Sequence, residues 1–174
     1  MVYINKTILK IFIIHFSRIN LIYCLLLLIL SRKRVKYIMY VSEVMTTRVS
    51  SLSPEDTAAK AADIMSCENI GAVPVVEQGE IQGILTDRDI VLRCVAQGKD
   101  PKTIKAREIM SKSAVCVTPV HTVDDVVRIM SREQIRRLPV VDNGKLTGMV
   151  SMADIARIRQ GLEAADAICE ISKP

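Results

Sequence analysis

The sequence predicts an α+β fold: two tandem β-α-β-β-α units packed as one pseudo-symmetric module behind an apolar N-terminal extension. A length of 174 residues suits one module of ordinary size. At a constant offset of 65, Val44 to Val91 lies on Ile109 to Ala156 without a gap, with 15 of 48 positions identical, which is an internal duplication. Composition also breaks near residue 40. All aromatic residues (Tyr3, Phe12, Phe16, Tyr23, Tyr37, Tyr40) and seven Lys or Arg fall in the first forty positions, where no acid occurs.

The extension, residues 1–40, admits three readings. Ile19 to Leu30 is a 12-residue apolar run, short of the roughly 20 residues that span a bilayer. Extending it back to Ile11 takes in His15, Arg18 and Asn20, which are costly in a membrane. As an anchor, its following basic cluster, Ser31-Arg-Lys-Arg-Val-Lys36, would hold the rest in the cytoplasm. A cleaved signal peptide fits worse, because the charge follows the apolar run. Acid-free Ile, Leu, Lys, Asn and Tyr is also what translated A+T-rich upstream DNA looks like, with Met39 as an alternative start.

The elements of the first unit, 41–98, follow in order after a short opening strand. Ser53-Pro-Glu-Asp56 is a helix-start signal, and Ala58, Ala61, Ala62 and Met65 follow at helical spacing. Ala72 to Val76 and Ile81 to Leu85 are short apolar runs around Gln78-Gly79, a tight hairpin. Helical period returns over Asp87 to Ala96 through Ile90, Val91, Cys94 and Val95. A linker over 99–103, rich in charge and turn formers, leads to the second unit, 104–160. There Thr122 to Met130, Leu138 to Val141, Leu146 to Val150 and Ala153 to Ile158 repeat the order, and a helical tail covers 161–174. Neither half can bury both faces of so small a sheet, so the two are expected to share one core.

Charge and cysteines exclude several functions. From Val41 onward there are 17 Lys plus Arg against 19 Asp plus Glu and no aromatic side chain, so a base-stacking nucleic-acid platform is excluded despite the overall charge of +5. Cys24, Cys67, Cys94, Cys116 and Cys169 are odd in number and lack a C-x-x-C pair. That argues against a disulfide framework or zinc site and for a reducing, cytoplasmic setting. No nucleophile with a base, metal set or Gly-rich phosphate loop is visible, so no catalytic or metal residue is expected. His121 precedes a helix start as a cap neighbour, and Asp124-Asp125 faces the helix dipole.

The twice-repeated pattern of a helix followed by h-P-V-V-[DE]-x-G-x-h-x-G-h-h-[ST]-x-x-D-I or its close variant resembles a tandem pair of cystathionine beta-synthase (CBS) domains, from Val41 to about Ile158. The resemblance implies a disc-like module with a central cleft, homodimerisation through its helices, and regulation by adenine nucleotides (AMP, ADP, ATP) or related ligands such as S-adenosylmethionine or NAD, with no required cofactor. No enzymatic domain accompanies the pair, which implies a free-standing sensor, not an enzyme; a purely structural or oligomerising module is the alternative.

Thr86-Asp-Arg-Asp89 and Ser151-Met-Ala-Asp154 place a hydroxyl at a strand end and a carboxylate three residues later. Such a site can meet a phosphate with free N–H groups and accept ribose hydroxyls on the Asp. The same pattern is the capping box, which needs no ligand. The resemblance implies nucleotide contact at Thr86, Asp89, Ser151 and Asp154. Arg136-Arg137 stands where the first unit has Gly71-Ala72, and this stretch resembles the regulatory gamma subunit of AMP-activated protein kinase, whose basic residues there meet phosphate. Arg136 departs from the His of that subunit. Two surface arginines paired with Glu133 or Asp142 are the other reading. With both arginines in its own unit, the second site is expected to bind more tightly, and the apolar stripes Val123, Val126, Val127, Met130 and Ile155, Ile158, Leu162 are expected to supply a dimer face.

Overall fold

The computed structural model of the chain describes residues 38–158 and 162–172. The apolar run Ile19–Leu30 and its basic cluster lie outside the described residues.

The two repeats fold alike. In the first, a one-turn helix α1 (Val41–Val44) leads through a loop to α2 (Ala58–Glu68), β1 (Ala72–Glu77), β2 (Glu80–Thr86) and α3 (Asp87–Arg93). The second has α4 (Ala106–Ile109), β3 (Ser111–Lys112), α5 (Val123–Glu133), β4 (Arg137–Asp142), β5 (Lys145–Ser151) and α6 (Met152–Ile158), followed by α7 (Leu162–Ile171). Both hairpins keep one register, Ala72 opposite Thr86 and Arg137 opposite Ser151, with a bulge after Val75 and again after Val140. Their two-residue turns hold Gln78-Gly79 and Asn143-Gly144 at positive φ, as primed turns require. The sheet order is β1-β2-β5-β4, with β3 on β2; Glu80 pairs with Lys145 where the hairpins meet.

Each opening segment crosses to the other repeat. Ser111 and Lys112 pair with Ile84 and Gly83 of β2, while Thr46 exchanges two backbone bonds of 2.9 Å with Met149 of β5. Val41 N–H donates to His121 O (2.8 Å) and Val123 N–H to Met39 O (2.9 Å); 65 residues on, Ala106 N–H donates to Asp56 O (2.7 Å) and Ala58 N–H to Ile104 O (3.1 Å). The apolar side chains follow. Val41 is buried with Val126, Met130, Leu138 and Ile155 of the second repeat. Ile104, Ala106 and Ile109 are buried with Leu52, Met65, Leu85 and Ile90 of the first. Two cores therefore form where one shared core was expected, because each small sheet is covered by its own helices and finished by the other repeat's opening turn.

Four further expectations are corrected. The opening element is a helical turn with a bridge or two-residue strand, not a full strand. Ser53–Asp56 closes a turn, Ser53 N–H donating to Asp56 Oδ2 at 2.8 Å, and α2 starts later behind Thr57, whose hydroxyl accepts from Lys60 N–H. Ala62, Val91 and Val95 point to solvent: Ala62 and Val91 lie on the outer faces of α2 and α3, and α3 ends at Arg93, which leaves Val95–Gln97 as a 3-10 turn. The stripe Val123, Val126, Val127, Met130 and Ile155 is buried in the chain's own core, under α7 and the opening segment, and is not a free dimer face.

Candidate functional site

The hydroxyl–carboxylate motifs are positioned by caps. Thr86 N–H and hydroxyl donate to Asp89 Oδ2 at 2.9 and 2.7 Å, and Asp89 N–H returns to the Thr86 hydroxyl at 3.1 Å. Ser151 and Asp154 repeat this at 2.8, 2.6 and 3.2 Å. The capping-box reading is thus realised in both copies. Each Asp has a second oxygen to use: Asp89 Oδ1 lies 3.2 Å from Arg93, and Asp154 Oδ1 meets Arg157. Asp89 and Asp154 are mostly buried, at 8% exposure, and the two hydrogen bonds accepted by each Oδ2, with the arginine at each Oδ1, hold the carboxylate in place.

A cavity of about 360 Å³ opens between the repeats, lined by Thr86, Asp87, Arg88 and Asp89 of the first and by Arg136, Arg137 and Pro139 of the second. Gly71 and Ala72 also line it, so the starts of β1 and β4 meet there. Thr86, Asp89, Arg136 and Arg137 are brought together, while Ser151 and Asp154 are not on this lining. The arginines at the start of β4 thus share this lining with the hydroxyl and Asp of the other repeat as well as standing in the repeat of Ser151 and Asp154.

The arginines are not surface ion pairs. Glu133 is taken by Arg132, and among the described residues no ion pair or hydrogen bond engages the guanidinium group of Arg88, Arg136 or Arg137. Three guanidinium groups thus line one cavity with Asp87 and an already paired Asp89, a positive balance suited to an anion. Ser111, Ser113, Ala114 and Val115 complete the wall from the second repeat's opening segment. Sequence reasoning missed these and Asp87, since a repeat read in chain order assigns each segment to its own copy.

Other titratable groups are structural. His121 Nδ1 accepts from Thr118 N–H at 3.0 Å and contacts the Thr118 hydroxyl at 2.7 Å. Asp125 completes the α5 cap: hydrogen bonds from the Thr122 hydroxyl, then its N–H, with Arg128 adding to them, hold its carboxyl down at about 2. Burial pushes the Cys116 thiol up, away from nucleophilic reactivity. No group of three His, Cys, Asp or Glu side chains suited to a metal occurs among the described residues, nor does any described helix have the length and apolarity to cross a membrane.

Two pseudo-symmetric halves with crossed opening segments and a polar cleft between them define a tandem-repeat class of module. The chain belongs to the CBS domain family, whose signature matches residues 41–95 and 106–161. It is 45% identical over 125 residues to the CBS domain-containing protein YhcV of Bacillus subtilis, covering 72% of this chain and 89% of that protein. It also resembles the CBS domain pair of protein MJ0100 in complex with 5-methylthioadenosine and S-adenosyl-L-methionine, with a TM-score of 0.64, 29% identity, and coverage of 70% and 95% of the two chains. A hexameric CBS-CP12 protein from bloom-forming cyanobacteria gives a TM-score of 0.62 at 31% identity, covering 77% and 89%.

Proposed function

We propose that the chain is a CBS-pair regulatory protein, not an enzyme, that binds an adenine nucleotide or adenosyl ligand in the cavity between its repeats and signals by a conformational or oligomeric change. One observation carries this reading: the 360 Å³ cavity gathers Thr86 and Asp89 from one repeat and partner-free Arg136 and Arg137 from the other. A ribose would lie on Asp89 and a phosphate against the arginines. Ser151 and Asp154, capped in the same way, form the pseudo-symmetric half of the motif and would serve a second ligand. The likeness to MJ0100 supports the adenosyl part of this reading.

The test is thermal stability of the full chain with AMP, ADP, ATP, S-adenosylmethionine and NAD. A ligand that binds only the folded state at 100 times its Kd stabilises by about 2.7 kcal/mol, a rise of several degrees. A flat response to every ligand would leave the structural alternative, a module whose motifs act only as caps. The reading places the protein in the cytoplasm, in keeping with its unpaired cysteine pattern. It also includes a homodimer, supported by the exposed apolar Val91 and Leu92 on α3 and Val95 just after it (54%, 49% and 59% exposed). Sedimentation of the wild type as a monomer at micromolar concentration would remove the dimer; Leu92→Glu with Val95→Glu is expected to produce one.

A further inference from the structure

Gly71 separates two opposite charges in the cavity. A β-carbon placed on it would lie 2.7 Å from Asp87 Oδ2 and 3.4 Å from an Arg137 terminal nitrogen, so these groups face each other no farther apart than the sum of those distances. They are not in ion-pair contact. The other oxygen of Asp87 accepts from Arg88 N–H at 2.7 Å, which fixes the carboxylate at the start of α3. The acid occurs in one copy only, because the position matching Asp87 is Met152 and that matching Gly71 is Arg136.

The geometry points to Asp87 as the charge filter of this cavity. It rests on the proposed adenosyl-binding reading and specifies the ligand class: a nucleoside or its monophosphate over a polyphosphate. A phosphate that reaches Arg137 comes to stand beside a fixed carboxylate as well. The guanidinium attraction and the carboxylate repulsion act over similar distances, so each added negative charge on the ligand gains less than the arginines alone would give. Gly71 makes the arrangement possible, since any side chain there would displace the Asp87 carboxylate from Arg137.

Calorimetric titration of the full chain, in chelator to exclude divalent cations, uses adenosine, AMP and ATP against wild type, Asp87→Asn and Gly71→Ala. Asn keeps the shape of the side chain and removes its charge. In wild type, ATP is expected to bind no more tightly than AMP. In Asp87→Asn, adenosine stays within about twofold, AMP tightens by roughly three- to tenfold and ATP by more, as expected for removing one like charge at this range in a partly solvated cleft. Gly71→Ala shifts the same ligands in the same direction. Adenosine binding by both proteins with unchanged ATP affinity in Asp87→Asn would overturn the filter alone. Equal tightening of adenosine and ATP would do so too. If wild type binds none of the three, the adenine-ligand reading fails and the filter with it.

Discussion

Gly148 of β5 lies directly under Met45: a β-carbon on the glycine would come within 2.8 Å of the methionine sulfur and 3.0 Å of Thr46 O. Gly83 has the same relation to Met110, at 2.9 Å, and to Ser111 O, at 2.6 Å. Both glycines recur in the repeat because an opening segment from the other half lies on the strand at that point. Gly83→Ala must move backbone, so it is expected to destabilise by about 1–3 kcal/mol, as overpacking does. Gly148→Ala should cost less, since the Met45 thioether can swing aside. Urea unfolding of both variants measures the difference, and equal midpoints with wild type would refute the close crossing.

If Arg137 meets the phosphate as proposed, Arg137→Ala would remove one charge-assisted hydrogen bond worth about 1.5–3 kcal/mol, so AMP is expected to weaken roughly tenfold to a hundredfold while adenosine changes little. Asp89→Ala should weaken both ligands through the ribose, and should also lower stability by ~1 kcal/mol through the lost cap. Asp154→Ala carries the same stability cost with a smaller effect on the ligand in this cavity. Titration of adenosine and AMP against the three variants separates these effects. Equal losses of both ligands in Arg137→Ala would remove its phosphate role.

The hairpins and the capping boxes at Thr86–Asp89 and Ser151–Asp154 were legible in the sequence, because they depend on residues within a few positions of one another. Thr86 with Asp89 is such a case. The union of Thr86 with Arg137 was not legible. It depends on the pseudo-two-fold meeting of β1 and β4, and no local pattern records which repeat an arginine will face. The crossing of α1 and α4 was hidden for a similar reason: each four-residue helix carries two apolar side chains, Val41 and Val44 or Ala106 and Ile109, too few to show a partner. Val95 was misplaced because helical period was followed past the end of α3, where the chain tightens into a 3-10 turn.

Val41 is fully buried among second-repeat side chains although it precedes the first repeat's own helix. Val41→Ala is therefore expected to loosen α5 and α6 more than α2, at a cost of about 1–3 kcal/mol. Hydrogen exchange resolved by peptide reads this directly. Faster exchange confined to residues 58–68 would contradict the assignment. A chain begun at Met39 should fold, since it keeps the Met39 carbonyl that accepts from Val123.

Asp125 makes part of the stability pH-dependent. Its folded carboxyl titrates at about 2, below the ordinary value of 3.8, so folding favours the ionised form. The contribution is complete above the unfolded value and is lost as pH falls through the folded one, between about pH 4 and 2. Thr122→Val removes the hydroxyl donor that has the largest effect and should flatten this part of the profile. Unfolding midpoints taken across that range for wild type and Thr122→Val test it; parallel curves would reject it.

The reciprocal exchange of opening turns also fixes what happens if the chain is severed. Lys99, Asp100 and Lys102 are exposed in the connection between the repeats, yet hydrolysis there would not release two independent bodies. The upstream fragment would still hold Val41 inside the downstream one, and the downstream fragment would still hold Ile104, Ala106 and Ile109 inside the upstream one. A nicked protein would migrate as one particle until denatured, and neither fragment, made separately, would reach a native state without its complement.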